Sequence, residues 1–339
     1  MRRADGTAGR PTGSRRALLA TLAGTTLGAV GTAGCLADGD RVRVLSAGSL
    51  ASVLENGVGP AFRSETGIGY EGEYHGSNAV VRMVRDGTKR PDVAISADIG
   101  LLRDRLRPDY ADWDLTFAAN EVVIVYASET ALGARLADGE PWYEVFADAG
   151  PDEIAISDPD LDPLGYRAVL LFELAAREHG LEGFRESMLE RVYREPDEAQ
   201  LLAGLEAGNR ACAVAYKNMA VERDLPYRTL PDAYNFGNPD YASQYADASY
   251  TTDDGYTTRG SPVVYGATVC TTGDAQAAGR EFVDFLASNP SLLTDRGLRV
   301  DDSLPRAHGD VPEVLENATA RAVSAAEAGS ESEAEVFEP

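Results

Sequence analysis

The sequence predicts an α/β fold of two lobes, joined by crossing strands, with a cleft between them. Apolar runs that suit buried strands alternate with amphipathic runs that suit helices, beginning at Val42. Such alternation is typical of βαβ units built around a parallel sheet. The chain has 339 residues, which is enough for the cores of two domains. The run from Glu121 to Tyr126 is apolar without alternation, and we expect it to cross between the lobes.

Residues 1–35 predict an export signal that is separate from the fold. Arg15 and Arg16 form a twin arginine, and a stretch rich in small apolar residues runs from Ala17 to Val30. The small residues before Cys35 suit a lipobox, so we expect Cys35 to become the lipid-carrying N-terminus. A transmembrane anchor is the alternative, but the stretch is too short and too rich in Gly and Thr for the roughly 20 strongly apolar residues of a span. We therefore expect an exported protein that a lipid alone anchors to the outer face of the cell membrane.

Residues 36–339 are divided by their composition. We expect the first part of lobe 1 at 36–118, lobe 2 at 119–260 and the completion of lobe 1 at 261–314. Residues 233–259 are rich in Asp, Tyr, Asn, Gly and Thr, which favours a loop. Residues 315–339 turn to Ala, Glu and Ser, a composition typical of a disordered acidic tail.

The charge balance is strongly acidic. The chain carries 55 Asp and Glu against 31 Lys and Arg, a formal net charge of −24, and its lysines are Lys89 and Lys217. A lysine-poor acidic surface stays hydrated at high ionic strength, where salt screens its self-repulsion. We interpret the charge as a halophile's adaptation to strong salt. It argues against nucleic acid as a partner, because phosphates would be repelled.

Cys212 and Cys270 both sit in apolar runs that suit strands. Packing in the core is the simplest role for them, and a disulfide in an oxidising exterior is the alternative. The three histidines are scattered, and no Cys or His shows metal-ligand spacing. Asn317 lies in an Asn-x-Thr sequon, which is a glycosylation acceptor in an exported chain.

Two Gly-Ser turns indicate a site for an oxyanion. Ser49 follows Gly48 where a predicted strand ends and a helix begins, and Ser77 follows Gly76 in the same way one unit later. Backbone N–H groups and the dipole at a helix N-terminus favour negative charge, and the hydroxyls add neutral donors. The ordinary alternative for each serine is a helix cap.

Five short motifs in fixed order then give the chain a family resemblance. They are Ala47-Gly-Ser-Leu50, Gly76-Ser77, Asp162-Pro-Leu-Gly-Tyr-Arg167, Tyr216-Lys-Asn-Met-Ala220 and Pro262-Val-Val-Tyr-Gly266. Over residues 42–300 the set resembles the archaeal-type molybdate/tungstate-binding proteins of ABC transporters. The resemblance implies a two-lobed, periplasmic-binding-protein-like fold of type II. It also implies a monomer that carries tungstate or molybdate, has no cofactor and meets a membrane permease.

The resemblance implies which residues hold the oxygens of the ligand. They are Gly48, Ser49, Ser77, Pro163, Leu164, Gly165 and Tyr216, the three consecutive residues acting through the backbone of a turn. This chain departs from the family pattern at two motif positions. Leu164 stands where Cys is frequent, and Asn218 stands where Ser is usual.

Two carboxylates, Asp162 and Glu198, are implied as direct ligands of the metal atom. Carboxylates that face a dianion in a closed cleft repel it by several kcal/mol, so the pair makes sense only where each bonds the central atom. Mo(VI) and W(VI) can expand from four to six oxygen ligands and sulfur cannot, so the pair would exclude sulfate. The ordinary alternatives are a turn residue before proline for Asp162 and a first-turn carboxylate for Glu198. Many relatives have extra residues before the Glu that are absent here.

The sequence favours a binding protein that captures tungstate or molybdate, closes by a hinge and delivers the anion to a permease. Within this class the alternatives are sulfate, phosphate, a carboxylate-bearing solute or a metal cation. A serine hydrolase is the alternative enzyme, but Ser49 lacks the Gly-x-Ser-x-Gly elbow and no histidine is placed to activate it. A structural surface lipoprotein is the third class. We therefore expect no enzymatic activity.

Overall fold

The computed structural model describes residues 41–196, 198–313 and 315. The predicted export signal with Cys35, the tail beyond Leu315 and Asn317 lie outside these residues. None of the helices in the described ranges combines the length and apolar character that a membrane span needs.

Two mixed sheets and a hairpin carry the described strands. These are β1 (Arg41–Ala47), β2 (Gly69–His75), β3 (Val93–Ser96), β4 (Trp113–Asn120), β5 (Val122–Tyr126), β6 (Ile154–Ser157), β7 (Tyr193–Glu195), β8 (Cys212–Tyr216), β9 (Tyr227–Thr229), β10 (Ser249–Thr251), β11 (Thr257–Arg259), β12 (Val263–Val269) and β13 (Arg306–Gly309). The first sheet has the order β13-β4-β12-β3-β1-β2, the second has the order β7-β6-β8-β5-β9, and β10 pairs with β11.

The described helices pack around these sheets. They are α1 (Ala51–Val53), α2 (Gly59–Thr66), α3 (Ser77–Arg85), α4 (Ile99–Leu106), α5 (Ala131–Ala137), α6 (Trp142–Ala147), α7 (Pro163–His179), α8 (Phe184–Leu189), α9 (Glu198–Glu206), α10 (Lys217–Glu222), α11 (Ala242–Tyr245), α12 (Gln276–Ser288) and α13 (Ser291–Thr294). Short 3-10 turns occur at Gly48–Leu50 and Pro239–Tyr241, and a π-helical turn occurs at Leu54–Val58.

The chain crosses between the sheets, which makes both of them mixed. β1 runs parallel to β2 and β3, whereas β12 lies antiparallel between β3 and β4. In the second sheet β6 runs parallel to β7 and β8, whereas β5 is antiparallel to β8 and β9. The predicted two-lobed α/β fold is confirmed. The lobe boundaries at 118, 260 and 314 stay predictions.

The chain passes from the first sheet to the second at a single residue, not along the whole run from Glu121 to Tyr126 as expected. β4 ends at Asn120 in the first sheet and β5 begins at Val122 in the second, so the chain passes over at Glu121. The Asn120 side chain accepts the Glu121 N–H at 2.9 Å, and Val122 N–H donates to Asn235 O at 2.8 Å. These bonds replace the ladder partners that a continuous strand would have. The apolar run predicted to cross therefore belongs to the second sheet.

Two further expectations about local structure are wrong. Helix α7 begins at Pro163, because Asp162 caps it and accepts the Leu164 N–H at 2.8 Å. The expected turn is thus the first turn of a helix. The expected loop at 233–259 contains a helix, α11, and the β10–β11 hairpin, whose strands are short and largely exposed.

Cys212 and Cys270 are free thiols, and both are buried. Cys212 lies in the second sheet, while Cys270 follows β12 of the first. The core-packing interpretation is confirmed and the disulfide alternative is wrong. Burial raises the pKa of each thiol to about 12, so both stay protonated at neutral pH.

Asp92 joins β1, β3 and the start of α12, which all belong to the first sheet and the layer packed on it. It is fully buried before β3, and its carboxylate accepts the backbone N–H of Arg43 in β1 at 2.9 Å and that of Ala275 before α12 at 2.7 Å. Burial raises the pKa of Asp92, but hydrogen bonds from the Arg43 side chain and the two backbone groups outweigh it, so the net pKa is lowered.

We expect Asp92→Asn to destabilise the fold by about 1–3 kcal/mol, because an amide cannot accept all of these hydrogen bonds. A lowered pKa in the folded state means that the ion stabilises above the unfolded pKa and that this stability is lost as pH falls through the folded pKa. Thermal unfolding from neutral pH to about pH 3 should therefore show a smaller acid-induced loss in the variant than in the wild type. Asp274→Asn is the control, because it removes the exposed partner of the same arginine. Equal acid sensitivity of wild type and Asp92→Asn would contradict this role.

Candidate functional site

Ser49 lies at the carboxyl end of β1 with its hydroxyl held from another strand. It sits in the turn Gly48–Leu50 and is buried. Its Oγ accepts a hydrogen bond from the Tyr265 hydroxyl of β12 at 3.1 Å. The N-cap position belongs to Ala47, and the serine makes no capping bond.

Ser77 repeats this arrangement on the neighbouring strand. It is the first residue of α3, is buried, and its Oγ accepts the Ala97 N–H at 3.0 Å. Gly76 occupies the N-cap position, again without a side-chain capping bond. The helix-cap alternative is therefore wrong for both serines, because each stands one residue or more inside its helical segment.

Tyr216 supplies a third hydroxyl from the second sheet. It ends β8, is fully buried, and its oxygen accepts a hydrogen bond from Arg167 Nη1 at 2.7 Å. The hydroxyl oxygens of Ser49, Ser77 and Tyr216 thus all accept from the protein. Within the described ranges, none of the three donates its own hydrogen to a protein acceptor. Each hydroxyl has one hydrogen to give, so three buried neutral donors remain for a ligand.

Two buried carboxylates lie against the two Gly-Ser turns. Glu198 begins α9 and Asp162 caps α7, with exposed fractions of 2% and 1%. A Cβ built on Gly48 would lie 2.8 Å from Glu198 Oε2, and one built on Gly76 would lie 3.1 Å from Asp162 Cβ. Glu198 therefore holds the ordinary first-turn position expected for it, whereas Asp162 caps a helix, and both lie beside the glycines that precede the serines.

The first turn of α7 offers fewer backbone donors than its motif suggests. Pro163 has no N–H, and the Leu164 N–H already donates to Asp162 Oδ1. Gly165 packs so closely on the end of β6 that an added Cβ would lie 2.5 Å from Ser157 O. The ligand roles of these three residues stay predictions.

Direct contacts join the two halves around these residues. α9 packs on β6 and β8 and also contacts the Gly48–Leu50 turn. Near Ser77, the Asn78 side chain donates to Asp160 O at 3.3 Å and the Ala79 N–H donates to Leu161 O at 3.4 Å. The serine turns of the first sheet and the carboxylates of the second are thus held together.

The surroundings keep the buried phenols protonated. Burial raises the pKa of Tyr216 well above its ordinary value, Arg167 lowers it, and Tyr265, Asp162 and Glu198 raise it further. Burial and the Glu198 charge raise the pKa of Tyr265 in the same direction. Both hydroxyls therefore remain hydrogen donors across the ordinary pH range.

Four residues that shape the site were not assigned a role from the sequence. Asn218 donates to Ser49 O at 2.7 Å, and Asn120 donates to Asn218 Oδ1 at 2.7 Å and to the Tyr265 hydroxyl at 3.2 Å. Arg167 is the fourth, through Tyr216. Arg167, Asn218 and Tyr265 lie inside the motifs of the resemblance, so their positions carried a signal, whereas Asn120 lies outside all of them.

The described residues contain no group of three or more His, Cys, Asp or Glu side chains placed to hold a metal ion. The chemistry gathered here is three neutral hydroxyl donors and two carboxylates. This set suits an oxyanion whose central atom can accept further oxygen ligands.

A family model described as bacterial extracellular solute-binding protein matches residues 42–291. The chain belongs to this family. This solute-binding protein is 49% identical over 304 residues to an uncharacterized solute-binding protein of Halobacterium salinarum, covering 89% of this chain and 97% of the relative. It is 30% identical over 311 residues to the molybdate/tungstate-binding protein of Thermococcus kodakarensis, covering 80% and 85%.

A solved structure agrees with the fold of this solute-binding protein. The periplasmic molybdate-binding protein of Azotobacter vinelandii matches with a TM-score of 0.59 at 16% identity, covering 77% of this chain and 99% of that one. At this identity the match bears on the fold alone. The family model and the sequence relatives confirm the resemblance that the ordered motifs predicted, and the structural match confirms its fold.

We expect Gly48→Ala to displace the Glu198 carboxylate, because the new Cβ would lie 2.8 Å from Oε2. Oε2 is the far end of a flexible side chain and can move, but it is buried, so we expect a small cost, up to about 1 kcal/mol. In a Glu198→Ala background the nearest remaining contact is Cβ at 3.5 Å, an ordinary distance, so the same substitution should cost little. Thermal unfolding of the four proteins forms a double-mutant cycle. If the two substitutions lower the free energy of unfolding additively, the contact between Gly48 and Glu198 is contradicted.

Proposed function

We propose that this solute-binding protein captures tungstate or molybdate between its two sheets and delivers it to an ABC-transporter permease. One observation carries the proposal: Ser49, Ser77 and Tyr216 are buried hydroxyls whose oxygens already accept from the protein, and they share their surroundings with two buried carboxylates. The ligand leaves chemically unchanged, because capture and release need only hydrogen bonds and reversible coordination.

The hydroxyls support binding of the ligand's oxygens. A tetrahedral oxyanion presents acceptors in several directions, and neutral donors that are fixed before binding lose little entropy when it arrives. The serine hydroxyls lie where helical segments begin, so the N-terminal dipoles add favourable potential for an anion.

The two carboxylates support molybdenum or tungsten, rather than sulfur, as the central atom of the ligand. Asp162 and Glu198 would each repel a dianion by several kcal/mol if they only lay beside it. The nearby cation, Arg167, does not offset them, since it pairs with Asp98 at 3.1 Å. Direct bonds from the carboxylate oxygens to Mo(VI) or W(VI) turn this repulsion into coordination, and sulfate has no equivalent.

The name of the Thermococcus kodakarensis relative supports the same ligand pair. The twin-arginine leader and Cys35 support export and a lipid anchor at the outer face of the membrane, where a monomeric binding protein would meet its permease.

Isothermal titration should give tight binding of tungstate and molybdate and no measurable heat with sulfate at the same concentration. Asp162→Asn and Glu198→Gln should each weaken tungstate binding about tenfold or more, because each loses a charged ligand in a buried site. Ser77→Ala should weaken it about threefold to tenfold through one lost hydrogen bond.

Glu206→Gln is the matched control for this titration. Glu206 ends the same helix α9 but pairs with Arg223 on the exposed surface. The tungstate affinity of the variant should therefore equal that of the wild type. Tight sulfate binding that survives Glu198→Gln would overturn the assignment of ligand and of the carboxylates.

A further inference from the structure

Arg167 is the one basic side chain that is buried in the described part of the chain, with 1% of its surface exposed. It lies in α7, which packs on β6 and β8 of the second sheet. Its guanidinium reaches across to the segment that follows β3 of the first sheet. Nη1 donates to Ala97 O at 3.1 Å, and Nη2 donates to Asp98 Oδ2 at 3.1 Å.

Asp98 is held to receive this cation. Its Oδ1 accepts the Leu101 N–H at 3.1 Å and caps α4, while its Oδ2 also accepts the Tyr166 hydroxyl at 2.6 Å. A buried arginine with a matched carboxylate and further hydrogen bonds escapes the full cost of an unpaired charge. The pair therefore joins α7 to the first sheet without leaving a net positive charge for the ligand.

The same guanidinium reaches the proposed ligand site through Tyr216. Nη1 donates to the Tyr216 oxygen at 2.7 Å. An oxygen that accepts from a cation turns its own hydrogen away from that cation. Ala97, which accepts from Arg167 through its carbonyl, also donates its N–H to Ser77 Oγ. One short segment of the first sheet thus anchors Ser77 directly and Tyr216 through Arg167.

We propose that Arg167 is a positioning residue for oxyanion capture, which aims the Tyr216 hydrogen at the ligand while its guanidinium bridges to Ala97 and Asp98. The donor set is then complete only when the two sheets are in contact, so capture and closure are coupled. This inference rests on the proposed function, and it adds a role for a residue that does not touch the ligand.

A double-mutant cycle on the full mature chain tests the coupling. Tungstate affinities are measured by isothermal titration for Tyr216→Phe, Arg167→Met and the double variant. Each single substitution should weaken binding about tenfold, and the double variant should be no more than about twofold weaker than the weaker single one. When Arg167→Met is combined with Ser49→Ala, the two fold losses in tungstate affinity should instead multiply, because Ser49 is anchored by Tyr265 and not by Arg167.

A half-buried arginine that pairs with a different buried carboxylate serves as the control. Arg103 in α4 donates to both carboxylate oxygens of the buried Asp114 in β4, at 2.9 Å and 2.7 Å, so this pair does not reach the second sheet. Arg103→Met should lower the melting temperature and leave tungstate affinity unchanged. If Arg167→Met does not fold, Arg167→Lys is read in the same cycle, since an ammonium cannot span three acceptors as the guanidinium fork does.

The outcomes separate the two proposals. Absence of tungstate and molybdate binding in the wild type overturns the proposed function. Tight wild-type binding with fully multiplicative losses for Arg167 and Tyr216 overturns the positioning role alone, and so does an affinity that is unchanged in Arg167→Met.

Discussion

The hydroxyls of this site are held by hydrogen bonds that come from distant parts of the chain, and further buried bonds from Asn218 and Arg167 join the two sheets around them. Ser49 is anchored by Tyr265, 216 positions away, and Tyr216 by Arg167, 49 positions away. Asn120 and Asn218 close the network at the point where the chain passes from one sheet to the other. The bonds from Asn218 to Ser49 O and from Arg167 to Ala97 O and Asp98 run between the sheets and are buried, so separating the sheets would leave their donors and acceptors without these partners.

Charge is distributed in this interior in an unusual way for an anion site. The buried cation is matched to Asp98, whereas Asp162 and Glu198 stand beside the serine turns. Neutral donors alone would accept any tetrahedral dianion of suitable size, and the carboxylates then discriminate by the chemistry of the central atom. Selectivity in this proposal comes from repulsion that only coordination can relieve, so binding and rejection use the same two side chains.

The sequence was most informative where local pattern decides structure. The strand-turn-helix units around Ser49 and Ser77 follow from apolar periodicity and glycine, and the buried thiols follow from their apolar runs. β4 was not predicted, because Asp114 interrupts its pattern and its charge is neutralised by Arg103 and Arg107, which only the fold brings near. The contacts of Tyr265 and Asn120 could not be predicted for the same reason, since local sequence spacing does not indicate a partner on another strand. The start of α7 was missed because a capping aspartate before proline also reads as a turn.

X-ray absorption spectroscopy of the tungstate- or molybdate-loaded protein tests the central claim most directly, because it counts the oxygen neighbours of the metal atom. Coordination by Asp162 and Glu198 predicts a six-coordinate first shell with two additional, longer metal–oxygen distances, and loss of one of them in Glu198→Gln. Four equivalent oxygens, as in the free anion, in a wild-type protein that binds tightly would contradict direct coordination and leave the two carboxylates without the proposed role.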